Sequence, residues 1–286
     1  RNMVIKCWGS RGSISVSGPQ YSEYGGDTTC FEVIADSGEI IIIDAGTGIR
    51  RLGKSLIKRK QKEYHLLLTH THWDHILGIP FFGPLLYSAN KLIIQDRKFA
   101  GLTTKQVMDH VMKPPFFPVE LADFKAEIDF DPSLNGSFSI GSIDIETIST
   151  SHSQDSVGYK FREKDKTFVF LTDNELGHDH PQSLGRKAYI EFSRGADLLF
   201  HDAEYTLEEY RDKVGWGHSS VSHVLELALE AGVGQLGLIH LNQDRTDTQM
   251  KEMVDQSRRF LHTRTGRGGK APIPCFGVSC DFSLSL

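Results

Sequence analysis

The segment Leu66-Leu67-Leu68-Thr69-His70-Thr71-His72-Trp73-Asp74-His75 constrains this chain more than any other. Three leucines run straight into four ligand-type side chains placed within six residues. Such an apolar run reads as the end of a buried strand, and in an extended chain His70 and His72 point to the same side. Two imidazoles can then share one cation, and after a turn Asp74 and His75 add a carboxylate and a third imidazole. Four such groups are hard to absorb as ordinary core, since each would need its own buried polar partner. The fold therefore has to place this strand end where a metal can sit.

Extended, β-branched runs recur at 3–7, 31–35, 40–44, 64–69, 91–95, 143–149, 157–162, 167–172, 197–201 and 235–241. Helical spacing links Ile49, Leu52, Leu56 and Ile57, with Thr47 placed to cap, and links Val221, Val224, Leu225, Ala228 and Leu229 behind Ser219-Ser220. A third helix is expected over 247–262. Strands come in pairs early and alternate with helices later, which predicts an α/β fold of mixed sheets covered by helices. Asn135-Gly136 reads as a turn between two short strands, and 263–274, rich in Gly, Pro and basic residues, as a surface loop. No linker divides the 286 residues, so 1–286 is expected to be one domain.

Composition excludes several classes. With 39% hydrophobic and 24% charged residues, the chain is neither disordered nor a disulfide scaffold. A net charge of −5 argues against stable DNA binding by charge alone. The apolar run Ile40-Ile41-Ile42-Ile43 is far too short to span a bilayer, so no membrane is expected. Cys7, Cys30, Cys275 and Cys280 form no C-x-x-C pair and read as buried free thiols. With no apolar leader at the N-terminus, they predict a cytoplasmic, reducing setting.

The H-x-H-x-D-H segment resembles the metallo-β-lactamase superfamily, and the resemblance runs over nearly the whole chain. His152 in Ser151-His152-Ser153 matches the family's third histidine, and Asp173 after Phe170-Leu171-Thr172 its metal-bridging aspartate. His240 after Gly237-Leu238-Ile239 matches the last histidine. The resemblance implies the αββα sandwich, two mixed sheets flanked by helices. It assigns one metal to His70, His72 and His152, the other to Asp74, His75 and His240, and the bridge to Asp173. Two divalent ions about 3.5–4 Å apart can turn a water into a nucleophile near neutral pH. Nitrogen and oxygen ligands without thiolate suit Zn²⁺ first, with Mn²⁺ and Fe²⁺ as alternatives.

Gly215-Trp216-Gly217-His218-Ser219-Ser220 is similar to the G-H-S-T element of that superfamily's phosphodiesterase branch, which holds PhnP-type phosphodiesterases, cyclic-nucleotide phosphodiesterases and tRNA 3′-processing endonucleases. The resemblance makes His218 a catalytic histidine that meets the scissile phosphate or assists the leaving oxygen, beside Asp74. It also places Asp44 behind the ligands, while the order of His201-Asp202-Ala203-Glu204 suggests that Glu204 orients His218. Gly9-Ser10-Arg11-Gly12 and Tyr24-Gly25-Gly26-Asp27-Thr28 fit the same branch, with Asp27 where Asn is usual. The tRNA enzymes carry a long arm between the third histidine and the bridging aspartate. Here His152 and Asp173 are 21 residues apart, and two strands use most of the span. A small phosphodiester, such as a cyclic or other small nucleotide, is the expected partner, with Trp73, Phe81, Phe82, Phe116, Phe117 and Trp216 as a surface for stacking a base. The branch's phosphodiesterases are often dimers, so a homodimer is the assembly expected.

Two patterns point elsewhere. Gly48-Ile49-Arg50-Arg51-Leu52-Gly53-Lys54-Ser55 satisfies G-x-x-x-x-G-K-[ST], but its bulky interior fits a helix rather than a phosphate cradle. His178 and His180 follow Asp173 closely, yet Pro and Gly around them predict an exposed loop outside the site. The rival functions are acyl hydrolysis of a thioester or lactam, tRNA 3′ processing, and a binding module that has kept the fold.

Overall fold

The computed structural model describes residues 2–266 and 271–286. In chain order its first strands are β1 (Val4–Gly9), β2 (Cys30–Ile34), β3 (Ile40–Ile43), β4 (Glu63–Leu67), β5 (Lys91–Gln95), β6 (Lys98–Phe99), β7 (Leu102–Thr103) and β8 (Glu127–Asp131). Then come β9 (Ser137–Ile140), β10 (Ile143–Ser149), β11 (Val157–Glu163), β12 (Lys166–Leu171), β13 (Leu198–Asp202), β14 (Leu236–Ile239), β15 (Cys275–Gly277) and β16 (Ser283–Ser285). The helices are α1 (Ile49–Lys58), α2 (Trp73–Ile76), α3 (Thr104–Val111), α4 (Arg186–Ser193), α5 (Leu207–Tyr210), α6 (Val221–Ala231) and α7 (Asp247–Gly266).

Two seven-stranded sheets result, ordered β16-β1-β2-β3-β4-β5-β8 and β15-β14-β13-β12-β11-β10-β9. Side-chain alternation along the strands decides the layers. In β3, Ile41 and Ile43 enter the core between the sheets, while Ile40 and Ile42 face outward onto a second core. In β12, Phe168 and Phe170 face inward, and Val169 and Leu171 outward onto a third. Edge-on packing of Phe31 on Phe170, with centroids 4.9 Å apart, and of Phe168 on Phe200, at 5.1 Å, knits the inner layer. Helices α1 and α3 cover one sheet and α4, α6 and α7 the other, giving the αββα sandwich. Strands buried on both faces explain the uninterrupted Ile and Leu runs of β3 and β4.

Helix α1 buries Ile49, Leu52 and Leu56, so the P-loop pattern is a helix packed on a sheet. Thr47 does not cap it. Its Oγ1 instead accepts from Thr28 N and donates to Asp27 Oδ1, tying two loops together. Ser220 does cap α6, accepting from His223 N, and Gly232 ends that helix in the left-handed conformation. Helix α7 runs to Gly266, four residues past its expected end, so 263–266 are helical rather than loop. The loop expected over 267–270 lies outside the described residues. Asn135-Gly136 does join two short strands, but β8 and β9 belong to different sheets, so it is a crossing rather than a hairpin. All four cysteines are free and buried. Among the described residues no helix is long and apolar enough to cross a membrane.

Candidate metal centre

The C-terminal ends of β3, β4, β10, β12, β13 and β14, with the residues just after them, bring one set of side chains to one edge of the sandwich: Asp44, His70, His152, Asp173, Asp202 with Glu204, and His240. Asp44, Asp173 and His240 have φ of 61°, 47° and 55°. A left-handed residue just past a strand turns its side chain sharply across the sheet edge. Such strain costs on the order of 1–3 kcal/mol per non-glycine residue and persists only where the surroundings impose it. The structure brings all seven sequence-predicted ligands into this one cluster.

Two groups emerge. Donor atoms of His70, His72, His152 and Asp173 lie within 4.8 Å of one another, and so do those of Asp74, His75 and His240. His70 Nε2 and His152 Nε2 approach His72 Nδ1 to 3.0 and 3.2 Å. Asp173 reaches both groups: Oδ2 lies 3.5 Å from His70 and 3.4 Å from His240, and Oδ1 3.3 Å from His75. Asp74 Oδ2 lies 3.1 Å from His75 Nε2 and 3.3 Å from His240 Nε2.

The arrangement behind these atoms tests whether a metal fits. Four imidazoles have their Nδ1 tied: His70 to Thr69 Oγ1 at 3.1 Å, His75 to Asp44 at 2.7 Å, His152 to the Gly217 carbonyl at 2.9 Å and His240 to Glu204 at 3.0 Å. Each is left with Nε2 turned into the shared space, as a coordinating histidine requires. His75 Nε2 is buried and close to two carboxylates, yet aligned for a hydrogen bond with neither. The donor set fits two divalent cations.

Burial pushes the His70 imidazole well below its ordinary pKa and His152 down to about 3, so both are neutral donors. Burial pulls on His75 and His240 as well, but the carboxylates of Asp74 and Asp173, with Asp44 and Glu204 behind, carry both well above their ordinary value. The imidazoles of His75 and His240 in turn hold Asp74 and Asp173 ionised against their own burial.

His218 stands beside the cluster, its ring stacked on His240 at 4.5 Å and its Nδ1 3.9 Å from Asp173. Its closest partner is Asp202, at 2.8 Å, with Glu204 at 3.5 Å. Glu204 is instead the carboxylate behind His240, also accepting from Asn242 Nδ2 at 3.1 Å. Burial opposes the His218 charge, but Glu204 and Asp202 push its pKa up to about 9. Asp44 accepts from Thr69 N, Thr69 Oγ1 and His75 Nδ1, each at 2.7 Å, which fixes the strand end and the imidazole together.

The glycine-rich opening loop serves the ligands. Ser13 N donates to Asp74 Oδ2 at 3.0 Å, and a Cβ on Gly12 would meet His240 Nδ1 at 2.3 Å. Asp27 faces α1, pairing with Arg51 at 3.2 Å, and takes no part in the site.

Sequence reasoning missed Asp202 and Glu175. Glu175 is buried and accepts from Tyr210 Oη at 2.6 Å, Gly215 N and Gly217 N at 2.7 Å, and His180 Nε2 at 2.8 Å. Those bonds hold its carboxyl below the usual range despite burial. It thereby fixes the loop that carries Trp216, His218 and the carbonyl holding His152. The signal was a carboxylate two residues past Asp173, facing a run with two glycines. His180, read as exposed, is buried as its partner, whereas His178 is exposed as expected. Of the aromatic surface, Trp73, Phe81, Phe116 and Trp216 are exposed and Phe117 is half-buried, but Phe82 belongs to the core against Tyr64.

The β-lactamase superfamily domain model matches residues 39–241, and the chain belongs to that superfamily. Ribonuclease Z of Haloarcula marismortui is 26% identical over 77% of this chain and 82% of that protein; that of Nanoarchaeum equitans is 25% identical over 72% and 75%. Among solved structures, the metallo-β-lactamase fold protein YhfI of Bacillus subtilis superposes with a TM-score of 0.71 at 16% identity, covering all of both chains. A diphosphatase of the PhnP family gives 0.67 at 18% identity over 99% and 98%, and the short form of human tRNase Z 0.59 at 16% over the same shares. These likenesses concern the fold.

Proposed function

We propose that this chain is a metal-dependent phosphodiesterase acting on a small phosphodiester such as a cyclic or other small nucleotide. One observation carries the reading: His218, held by Asp202 at 2.8 Å and stacked on His240, is a cationic imidazole beside two donor groups, His70, His72 and His152 with Asp173, and Asp74 and His75 with His240, that do not include it. A phosphodiester needs that extra cation, both for charge on the equatorial oxygens and for the proton of a departing alkoxide. The metals, when bound, supply Lewis acidity toward the phosphate and acidify a water.

In this reading His70, His72 and His152 hold one cation, and Asp74, His75 and His240 the other. Asp173 joins them, and Asp44 and Glu204 orient the second set from behind. Asp202 keeps the proton on His218 Nδ1 and so fixes how the ring faces substrate. Zn²⁺ is the first metal to load, ahead of Mn²⁺ and Fe²⁺, and a homodimer is the assembly to test.

Hydrolysis of bis(p-nitrophenyl) phosphate before and after chelation tests the proposal. Metal-dependent turnover that collapses in His218→Ala is expected. No turnover by the metal-loaded protein, or thioester turnover indifferent to His218→Ala, would turn the assignment to acyl hydrolysis. The ribonuclease Z relatives favour tRNA 3′ processing as the second reading. Against it, the hairpin of β11 and β12 takes up most of the span from His152 to Asp173. Release of the 3′ trailer from a precursor tRNA, faster than any small diester is cut, would reverse that order.

A further inference from the structure

Helix α2 has two faces with different chemistry. Asp74 and His75 are buried toward the metal groups, whereas Trp73, directly after His72, is 75% exposed and Leu77, just past the helix, 55%. The outward face forms one wall of a groove of about 340 Å³. Pro80 and Phe81 extend that wall, and Val111, Met112, Phe116 and Phe117 build the other. The rings are held in place: Phe81 and Phe117 meet edge to face at 5.8 Å, and Lys113 O accepts from both Phe116 N and Phe117 N at 2.9 Å.

Volume, lining and position together limit the occupant. The volume is that of a small-molecule site, and its walls are apolar and aromatic, with few polar groups, as such sites are. Grooves that track a nucleic acid strand pair stacking rings with a line of cations along the backbone. This groove has the rings, yet neither lysine nor arginine is among the described residues that line it, and His110 is the one titratable side chain there. It therefore suits a single neutral flat ring rather than a charged strand. Trp73 sits between His72 and Asp74 in the chain, so the groove takes part of its wall from the segment that carries the ligands.

We infer that this groove is the subsite for a neutral aromatic group, a nucleobase or an aryl ring, on one ester arm of the substrate. The inference rests on the phosphodiesterase reading and narrows it to small diesters bearing a ring. The test compares wild type with Phe116→Ala and Phe81→Ala in two measurements. In hydrolysis of bis(p-nitrophenyl) phosphate, KM rises about tenfold in each variant with kcat held within about a factor of two, the signature of a lost stacking contact. In the second, p-nitrophenol quenches the fluorescence of the wild-type protein, saturably; Trp73→Phe removes most of the quenching, and both alanine variants weaken it. Unchanged KM and unchanged quenching overturn the subsite. So does a fall in sedimentation coefficient in the alanine variants without any change in quenching, which would make the groove a contact between copies of this chain. If no diester is hydrolysed but quenching still depends on Phe116 and Phe81, the ring site stands and the phosphodiesterase reading fails.

Discussion

The two metal groups are built from the same residue types and yet are held differently. Around His70, His72 and His152 the supports are a hydroxyl and a carbonyl, Thr69 Oγ1 and Gly217 O, and burial keeps His70 and His152 neutral. Behind His75 and His240 stand carboxylates, Asp44 and Glu204, at 2.7 and 3.0 Å. A carboxylate behind an imidazole makes it a more basic donor and locks its tautomer more firmly than a carbonyl does. The second group also includes Asp74 itself, so it concentrates negative charge. The first group is shaped mainly by desolvation, the second by charge. Asp173 reaches histidines of both groups with its carboxylate.

That asymmetry sets the order of expected effects. Removing the shared residue is the most severe: Asp173→Ala should cost both equivalents of metal and lower turnover of bis(p-nitrophenyl) phosphate by at least about a thousandfold. Metal content by elemental analysis, alongside kcat, checks this. Retention of one full equivalent would show that Asp173 serves one group only and would break the comparison at its centre.

Asp202→Asn comes next, because it leaves every predicted ligand in place and acts chiefly on His218, while an amide oxygen can still accept from Glu204 N, now 3.0 Å from Asp202 Oδ1. We expect kcat to fall about a hundredfold, the usual worth of a positioned acid, with metal content unchanged. The sign on pH is definite. Asp202 is one of the two carboxylates that raise His218, so removing its charge lowers that pKa. The protonated form is then lost at lower pH, and the alkaline limb of kcat moves down by roughly one pH unit. A limb that stays put would mean His218 is not the group titrating there.

Of the two metal groups, Glu204→Gln should weaken the charged one only. It removes the carboxylate behind His240 but keeps a hydrogen-bonding side chain of the same shape. One equivalent of metal should bind about 10- to 100-fold more weakly while the other is unaffected. Competition with a graded series of chelators separates the two affinities. Equal weakening of both would dissolve the distinction between the groups.

The same contrast explains what could be read from the sequence. His70, His72, Asp74 and His75 are contiguous because one strand end and one short helix deliver them, so their spacing alone marks them. His152, Asp173 and His240 are scattered, and each resembles an ordinary strand-end residue until the family order links them. Ten strand runs were legible because apolar residues are continuous where both faces are buried, as in β3, and alternate where one face is more open, as in β10. Strands β15 and β16, of three residues each, form only because a sheet edge is already there to pair with. The choice of Asp202 over Glu204 as the partner of His218 could not be made from order, since two residues on one turning segment differ only in direction. Glu175 stayed hidden because three of its four partners come from residues 30 or more positions downstream.

The smallest effect is the one expected of Lys54, and it sharpens the comparison by contrast. The run from Gly48 to Ser55 matches a phosphate-binding pattern as formally as His70 to His75 matches a metal-binding one. The difference lies in where the backbone goes. A phosphate cradle needs successive amides left free in an open loop, but from Leu52 onward the amides of this run are engaged within α1, beginning with Leu52 N on Gly48 O at 3.2 Å. Lys54 lies on the exposed side of that helix, opposite the buried Ile49, Leu52 and Leu56. Lys54→Ala should therefore leave diester hydrolysis and metal content unchanged and shift stability by no more than about 0.5 kcal/mol. Thermal denaturation and equilibrium binding of ATP check this. Tight ATP binding by the wild type that Lys54→Ala abolishes would mean the helix opens into a loop, and that the pattern, not the packing, was the better guide.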